Sequence, residues 1–130
     1  MNKYQPSVLI VDEDLGFLGW LGDLFNEIGY RALPALDCEQ AVSLINRFKL
    51  DVDVVADNDE LPGVMGMLGM LKRAHRPLKI VAIRTANADV SMLIPAHATI
   101  ERPSGWEPIS RSDWLQKILN VLKQAEAKAV

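Results

Sequence analysis

The sequence has little sulfur or imidazole chemistry to offer. Its single cysteine, Cys38, excludes an internal disulfide and a cysteine-cluster metal site. Its two histidines, His75 and His97, are well separated in the chain, so no His-rich metal spacing is visible. One unpaired thiol makes a reducing, cytoplasmic location the expectation. Long apolar runs are also missing. Residues 1–7 are largely polar and lead into a run too short for a signal-peptide core or a membrane span. Neither sign of charge dominates: Lys+Arg 14 against Asp+Glu 17 leaves a net charge of −3. That balance carries no electrostatic footprint for nucleic acid, and no basic amphipathic helix points to a membrane surface. There is no internal repeat, no low-complexity tract and no Ser-His-Asp ordering.

What is present suits a packed domain. Hydrophobic residues form 49% of 130 residues, enough for one core, so residues 1–130 are expected to form a single domain. Short apolar runs alternate with amphipathic stretches. Val8-Leu9-Ile10-Val11 reads as a buried parallel strand. Asp14 can cap a helix to about Ile28, with Phe17, Leu18, Leu21, Leu24, Phe25 and Ile28 at helical spacing, and Gly29 stops it. Residues 30–33 suggest a weaker strand ending at Pro34, and Asp37 caps a second helix. Residues 52–56 suggest a third strand running into the acidic turn Asp57-Asn58-Asp59-Glu60. Pro62 and Gly63 open a helix to about His75. Residues 79–84 and 98–101 complete the strands, with a short, poorly patterned segment at 87–94 between them. Ser110 and Ser112 are candidate caps for a last helix carrying Trp114, Leu115, Ile118, Leu119 and Leu122 inward.

Alternating β and α units predict an α/β domain, three layers in a (βα)5 flavodoxin-like arrangement, with a parallel sheet in the order 2-1-3-4-5. Ligands in such sheets lie at the carboxyl ends of the strands, near the switch point. There the sequence places Asp12, Glu13 and Asp14 after strand 1, Asp57, Asn58 and Asp59 after strand 3, and Thr85 after strand 4.

At these residues the sequence resembles response-regulator receiver domains. Asp12-Glu13-Asp14 after the first strand is similar to their acidic pair. Leu61-Pro62-Gly63-Val64-Met65-Gly66 is similar to their Met-Pro-Gly-x-x-Gly turn, Thr85-Ala86 to their Thr/Ser-Ala, and Arg102-Pro103 to their Lys-Pro. The resemblance covers nearly the whole chain in the right order. It implies two-component signalling and phosphorelay chemistry, with Asp12 and Glu13 as acids for a Mg²⁺ ion. It also implies a carboxylate nucleophile at the end of strand 3, Thr85 as the switch hydroxyl, a basic residue at 102 contacting phosphate, and a cis bond before Pro103.

Two positions depart from that pattern. Counting back from Pro62, the phosphoacceptor position is Asn58, and an amide has no anionic oxygen to attack phosphorus. Arg102 replaces lysine, and its planar guanidinium is not equivalent in a tight phosphate pocket. A one-residue bulge would instead bring Asp57 to the acceptor position. The leading expectation is therefore a pseudo-receiver: non-enzymatic, acting through contacts with a sensor histidine kinase or a downstream signalling protein, with room for a homodimer. Its Mg²⁺ site would be weak at best, and its output would come from the shortened region after strand 4 and a Met65/Leu68 surface. The alternatives are a phosphoaccepting receiver using Asp57, and a small flavodoxin-like nucleotide- or flavin-binding protein or hydrolase. The last lacks a Gly-rich phosphate loop after strand 1. No output domain follows the predicted fold, so the domain is expected to stand alone or to belong to a longer protein. The loop after Pro103 is long, and its Trp106 either packs on the last helix or covers the pocket.

Overall fold

A computed structural model describes residues 4–74, 77–85, 95–102 and 110–129. Five parallel strands form one sheet in the order 2-1-3-4-5: β1 (Ser7–Val11), β2 (Arg31–Ala35), β3 (Val54–Asn58), β4 (Lys79–Arg84) and β5 (Ala98–Glu101). Four helices are described: α1 (Leu15–Glu27), α2 (Cys38–Phe48), α3 (Val64–Ala74) and α4 (Arg111–Ala129). The expected α/β flavodoxin-like architecture and strand order are those observed.

Strand alternation builds two cores on opposite faces. Val8, Ile10, Val54, Ala56, Val81, Ile83 and Ile100 join Leu21, Phe25 and Ile118 under α1 and α4. Leu9, Val11, Val55 and Ile80 join Ala41, Ile45, Met67 and Leu71 under α2 and α3. A strand covered on both faces has no solvent side, which is why β1 reads as an unbroken apolar run. The predicted caps hold: the Asp14 carboxylate accepts from the Phe17 N–H at 3.1 Å, and that of Asp37 from the Gln40 N–H at 2.7 Å. At the last helix the Ser110 hydroxyl accepts from the Asp113 N–H at 3.4 Å.

Several boundaries differ from the sequence expectation. Pro34 lies within β2 rather than ending it. β2 is an edge strand paired only with β1, so the missing N–H costs no ladder bond on the outer side. β3 runs two residues further than expected, so Asp57 and Asn58 belong to the strand and not to a turn. Pairing of Asp57 with Ala82 and of Asn58 with Ile83 extends the ladder through the acids. Leu119 is exposed on α4, where Val121 and Ala125 complete the buried stripe instead. Leu68 is buried and only Met65 faces out, so the expected Met65/Leu68 surface does not exist. The expectations for His75, residues 87–94, Pro103 and Trp106 fall outside the described residues.

Phe25 is 1% exposed and stacks edge-on with Tyr30 at 5.8 Å between ring centroids. Phe25→Ala should lower the unfolding free energy by ~3–5 kcal/mol. Urea denaturation reads this as a lower midpoint, and an unchanged midpoint would contradict the packing described.

Candidate site at the carboxyl edge of the sheet

Asp12 follows β1 and is fully buried. Its side chain lies on the α1 face, where the next basic side chain along the sheet is that of Arg102, one residue past β5. One guanidinium nitrogen of Arg102 donates to both Asp12 oxygens, at 3.1 and 3.4 Å, and the other donates to Asp14 Oδ2 at 2.8 Å. The guanidinium also lies over the Phe17 ring, 5.2 Å from its centroid, and Arg102 N–H donates to the Arg84 carbonyl at 2.7 Å. Arg102 therefore joins β5 and β4 to the start of α1. The fork shape of the group allows it to hold two carboxylates at once.

Asn58 ends β3 on the same face. Its amide nitrogen donates to Asp12 Oδ2 at 3.4 Å, while its carbonyl oxygen accepts from the Glu60 N–H at 2.9 Å. The second bond determines the first: with the oxygen engaged by the turn, the NH₂ end meets the carboxylate. Burial pushes the Asp12 carboxyl above the usual range, opposed by the Asp14 backbone N–H and by Arg102. Asp14 goes the other way, held low first by the Phe17 N–H of its own cap and then by Arg102.

Three expected members are thus assembled: Asp12, Asn58 and Arg102. Two are not. Glu13 is exposed, whereas Asp12 beside it is buried. Thr85 follows β4 in an exposed position. Asp57 does not face Asp12. It points to the α2–α3 side, as the alternation with Val55 requires, towards the Cys38 thiol. The bulge that would have brought Asp57 into the acceptor position is absent from the β3 pairing.

Asp14 joins the site although its sequence signal was that of a cap; the signal for its second role was its place in an acidic trio. Phe17 reads as core from its helical spacing, yet it also seats the guanidinium.

The Mg²⁺ ion implied by the resemblance is a poor match for these side chains. A hard dication needs several free oxygen ligands. Both Asp12 oxygens already face N–H donors, Glu13 is outside, and the Asn58 oxygen is bonded to the turn. Among the described residues, no group of three or more His, Cys, Asp or Glu side chains could hold a metal ion.

No protein-family model matches the chain, and no curated protein matches it by sequence. Solved structures do match in fold. A signal receiver domain of an HD domain-containing protein from Pseudomonas fluorescens Pf-5 superposes with a TM-score of 0.70 at 19% identity, over 98% of this chain and 94% of that one. A response regulator receiver domain protein from Clostridium thermocellum gives 0.63 at 17%, over 94% and 98%. The chemotaxis response regulator CheY4 of Vibrio cholerae gives 0.63 at 16%, over 91% and 99%. The fold of this chain is that of receiver domains. No helix among the described residues is long and apolar enough to cross a membrane.

Removing the guanidinium leaves the buried Asp12 without its cation. Arg102→Ala should therefore lower stability by ~1–3 kcal/mol in urea denaturation, because a buried charged acceptor is left under-satisfied. Arg102→Lys should recover only part of this, since an ammonium cannot span both carboxylates. Full recovery by lysine would show that the two-carboxylate fork is not what stabilises the site.

Proposed function

We propose that this domain is an atypical receiver of a two-component or related signalling system. In this reading it is a non-enzymatic module that acts through protein contacts, with phosphotransfer lost or strongly reduced. Its partner would be a sensor histidine kinase or a downstream signalling protein. The fold shared with receiver domains supports the class. The observation that carries the rest is the Asn58 amide, which faces Asp12 at the place where the resemblance calls for a carboxylate nucleophile.

The chemistry follows from the donor set. An amide nitrogen has no lone pair free to attack phosphorus, and the amide oxygen is neutral and already accepts from Glu60. Arg102 pairs with both acids, of which Asp12 is buried and Asp14 is partly exposed to water. The buried acid thus has its counter-charge without an added metal, so Mg²⁺ should bind weakly. A domain closed by its own side chain favours one conformation, because a ligand shifts an equilibrium only through its differential affinity. Asp57 is a poor alternative acceptor: it is fully buried and on the other face of the sheet. A nucleotide-binding or hydrolytic role has less support, since the loop after β1 is acidic rather than glycine-rich.

Incubation with acetyl phosphate and Mg²⁺, followed by intact-mass spectrometry, tests this directly. The expected result is no aspartyl-phosphate adduct on the native chain. An adduct abolished by Asp57→Asn would establish the Asp57 reading in its place. Asn58→Asp combined with Arg102→Lys is expected to accept phosphate measurably, because it restores both the anionic nucleophile and the compact ammonium.

A further inference from the structure

The sheet has a second polar cluster on the opposite face from Asp12, and nothing in the receiver reading uses it. Asp57 is 0% exposed, and neither of its carboxylate oxygens has a hydrogen-bond partner among the described residues. A buried ionised carboxylate without a donor is among the costliest arrangements a core can hold. Its surroundings identify what relieves that cost. Asp59, two residues on, has a side chain only 4% exposed, and Arg84 grips its Oδ2 with two nitrogens at 3.0 and 2.8 Å. Arg84 in turn donates to the Thr99 hydroxyl at 3.3 Å, so the guanidinium is committed to Asp59 and β5. From α2 the Cys38 thiol is a titratable neighbour, pushed up first by burial. The buried face of α3 here is Val64, Met67 and Leu68, and β1 contributes Val11 beside Asp57. Glu101, the register partner of Arg84, is exposed at the rim.

From this allocation of donors we infer that Asp57 and Asp59 share one proton: Asp57 is a neutral carboxylic acid whose O–H donates to the Asp59 carboxylate, and Arg84 balances the single remaining charge. The arrangement satisfies every group at once. The O–H supplies the donor that Asp57 lacks, Asp59 accepts from both Asp57 and Arg84, and the cluster is formally neutral. Loss of the proton to solvent leaves two adjacent carboxylates and one guanidinium in a closed space under α3. The pair thus makes the joint between β3, β4 and α3 sensitive to protons. That joint ends in the same turn that orients the Asn58 amide. Burial, with the nearby Asp59 carboxyl adding to it, places the titration of Asp57 at about 8, within reach of neutral pH.

The sign of the effect is definite. Asp57 is raised in the folded chain above its ordinary value of 3.8, so the folded state holds a proton that the unfolded state releases. Stability from this group is greatest at low pH and is lost as pH rises towards about 8. The test is thermal unfolding of the intact chain from about pH 5 to about pH 9 beside Asp57→Asn, with the carboxyl carbon of Asp57 followed by NMR in the native protein. The native Tm should fall across this window more steeply than that of the asparagine variant, and the Asp57 carbon should titrate well above the ordinary carboxylate range. Asp59→Asn should move that midpoint down, because the neighbouring charge is gone. Parallel Tm profiles, or an Asp57 carbon that titrates near about 3.9, would overturn the inference. So would an Asp57 midpoint unmoved by Asp59→Asn, which would leave a lone buried acid and no shared proton. The NMR titration decides the matter even if the asparagine variant does not fold, and none of these readouts depends on phosphorylation.

Discussion

The guanidinium of Arg102 closes the carboxyl edge of this sheet. Four parallel strand ends converge there, and β1 delivers Asp12 into a site with no solvent to screen it. A carboxylate in that position requires a counter-charge, and in this chain the counter-charge is covalently part of β5's continuation. Because the fork reaches both Asp12 and Asp14, it fixes the first turn of α1 relative to β5. The Phe17 ring lies beneath the same group.

Asn58 and Arg102 are consistent with one another as a pair. A third carboxylate at the end of β3 would leave three acids against one guanidinium. The amide removes one negative charge and presents N–H instead of oxygen to Asp12, leaving one guanidinium shared between buried Asp12 and partly exposed Asp14. Each substitution would be hard to understand singly. Together they form a site whose polar groups bond to one another. Buried polar groups of this kind are costly when half-satisfied and rigidifying when complete.

The two faces of β3 separate two kinds of acid chemistry along three consecutive residues. Asn58 belongs to the α1 face with Asp12 and Arg102, and Asp57 and Asp59 belong to the α3 face with Arg84. Each face has its own arginine, drawn from an adjacent position at the end of β4 or just past β5. The period of two along a strand allows residues one apart in sequence to serve unconnected sites.

The strands, the helix caps and the strand order were legible in the sequence, because they rest on local signals: apolar runs between turns, aspartates ahead of amphipathic stretches, and alternation of β with α units. The Asn58 position was legible by counting from Pro62. The end of β3 was not, since Asp57 and Asn58 carry turn-like side chains, and only pairing with β4 holds them extended. Nor could the sequence assign Arg84 to Asp59 or Asp14 to Arg102, contacts across 25 and 88 residues. Periodicity shows which side chains share a face of one element, and so the sequence by itself determined the kind of fold and the edge where its acids gather. Which acid meets which arginine depends on strand register and on the stacking of helices over the sheet. Those are properties of the assembled chain, and only the tertiary structure decided them.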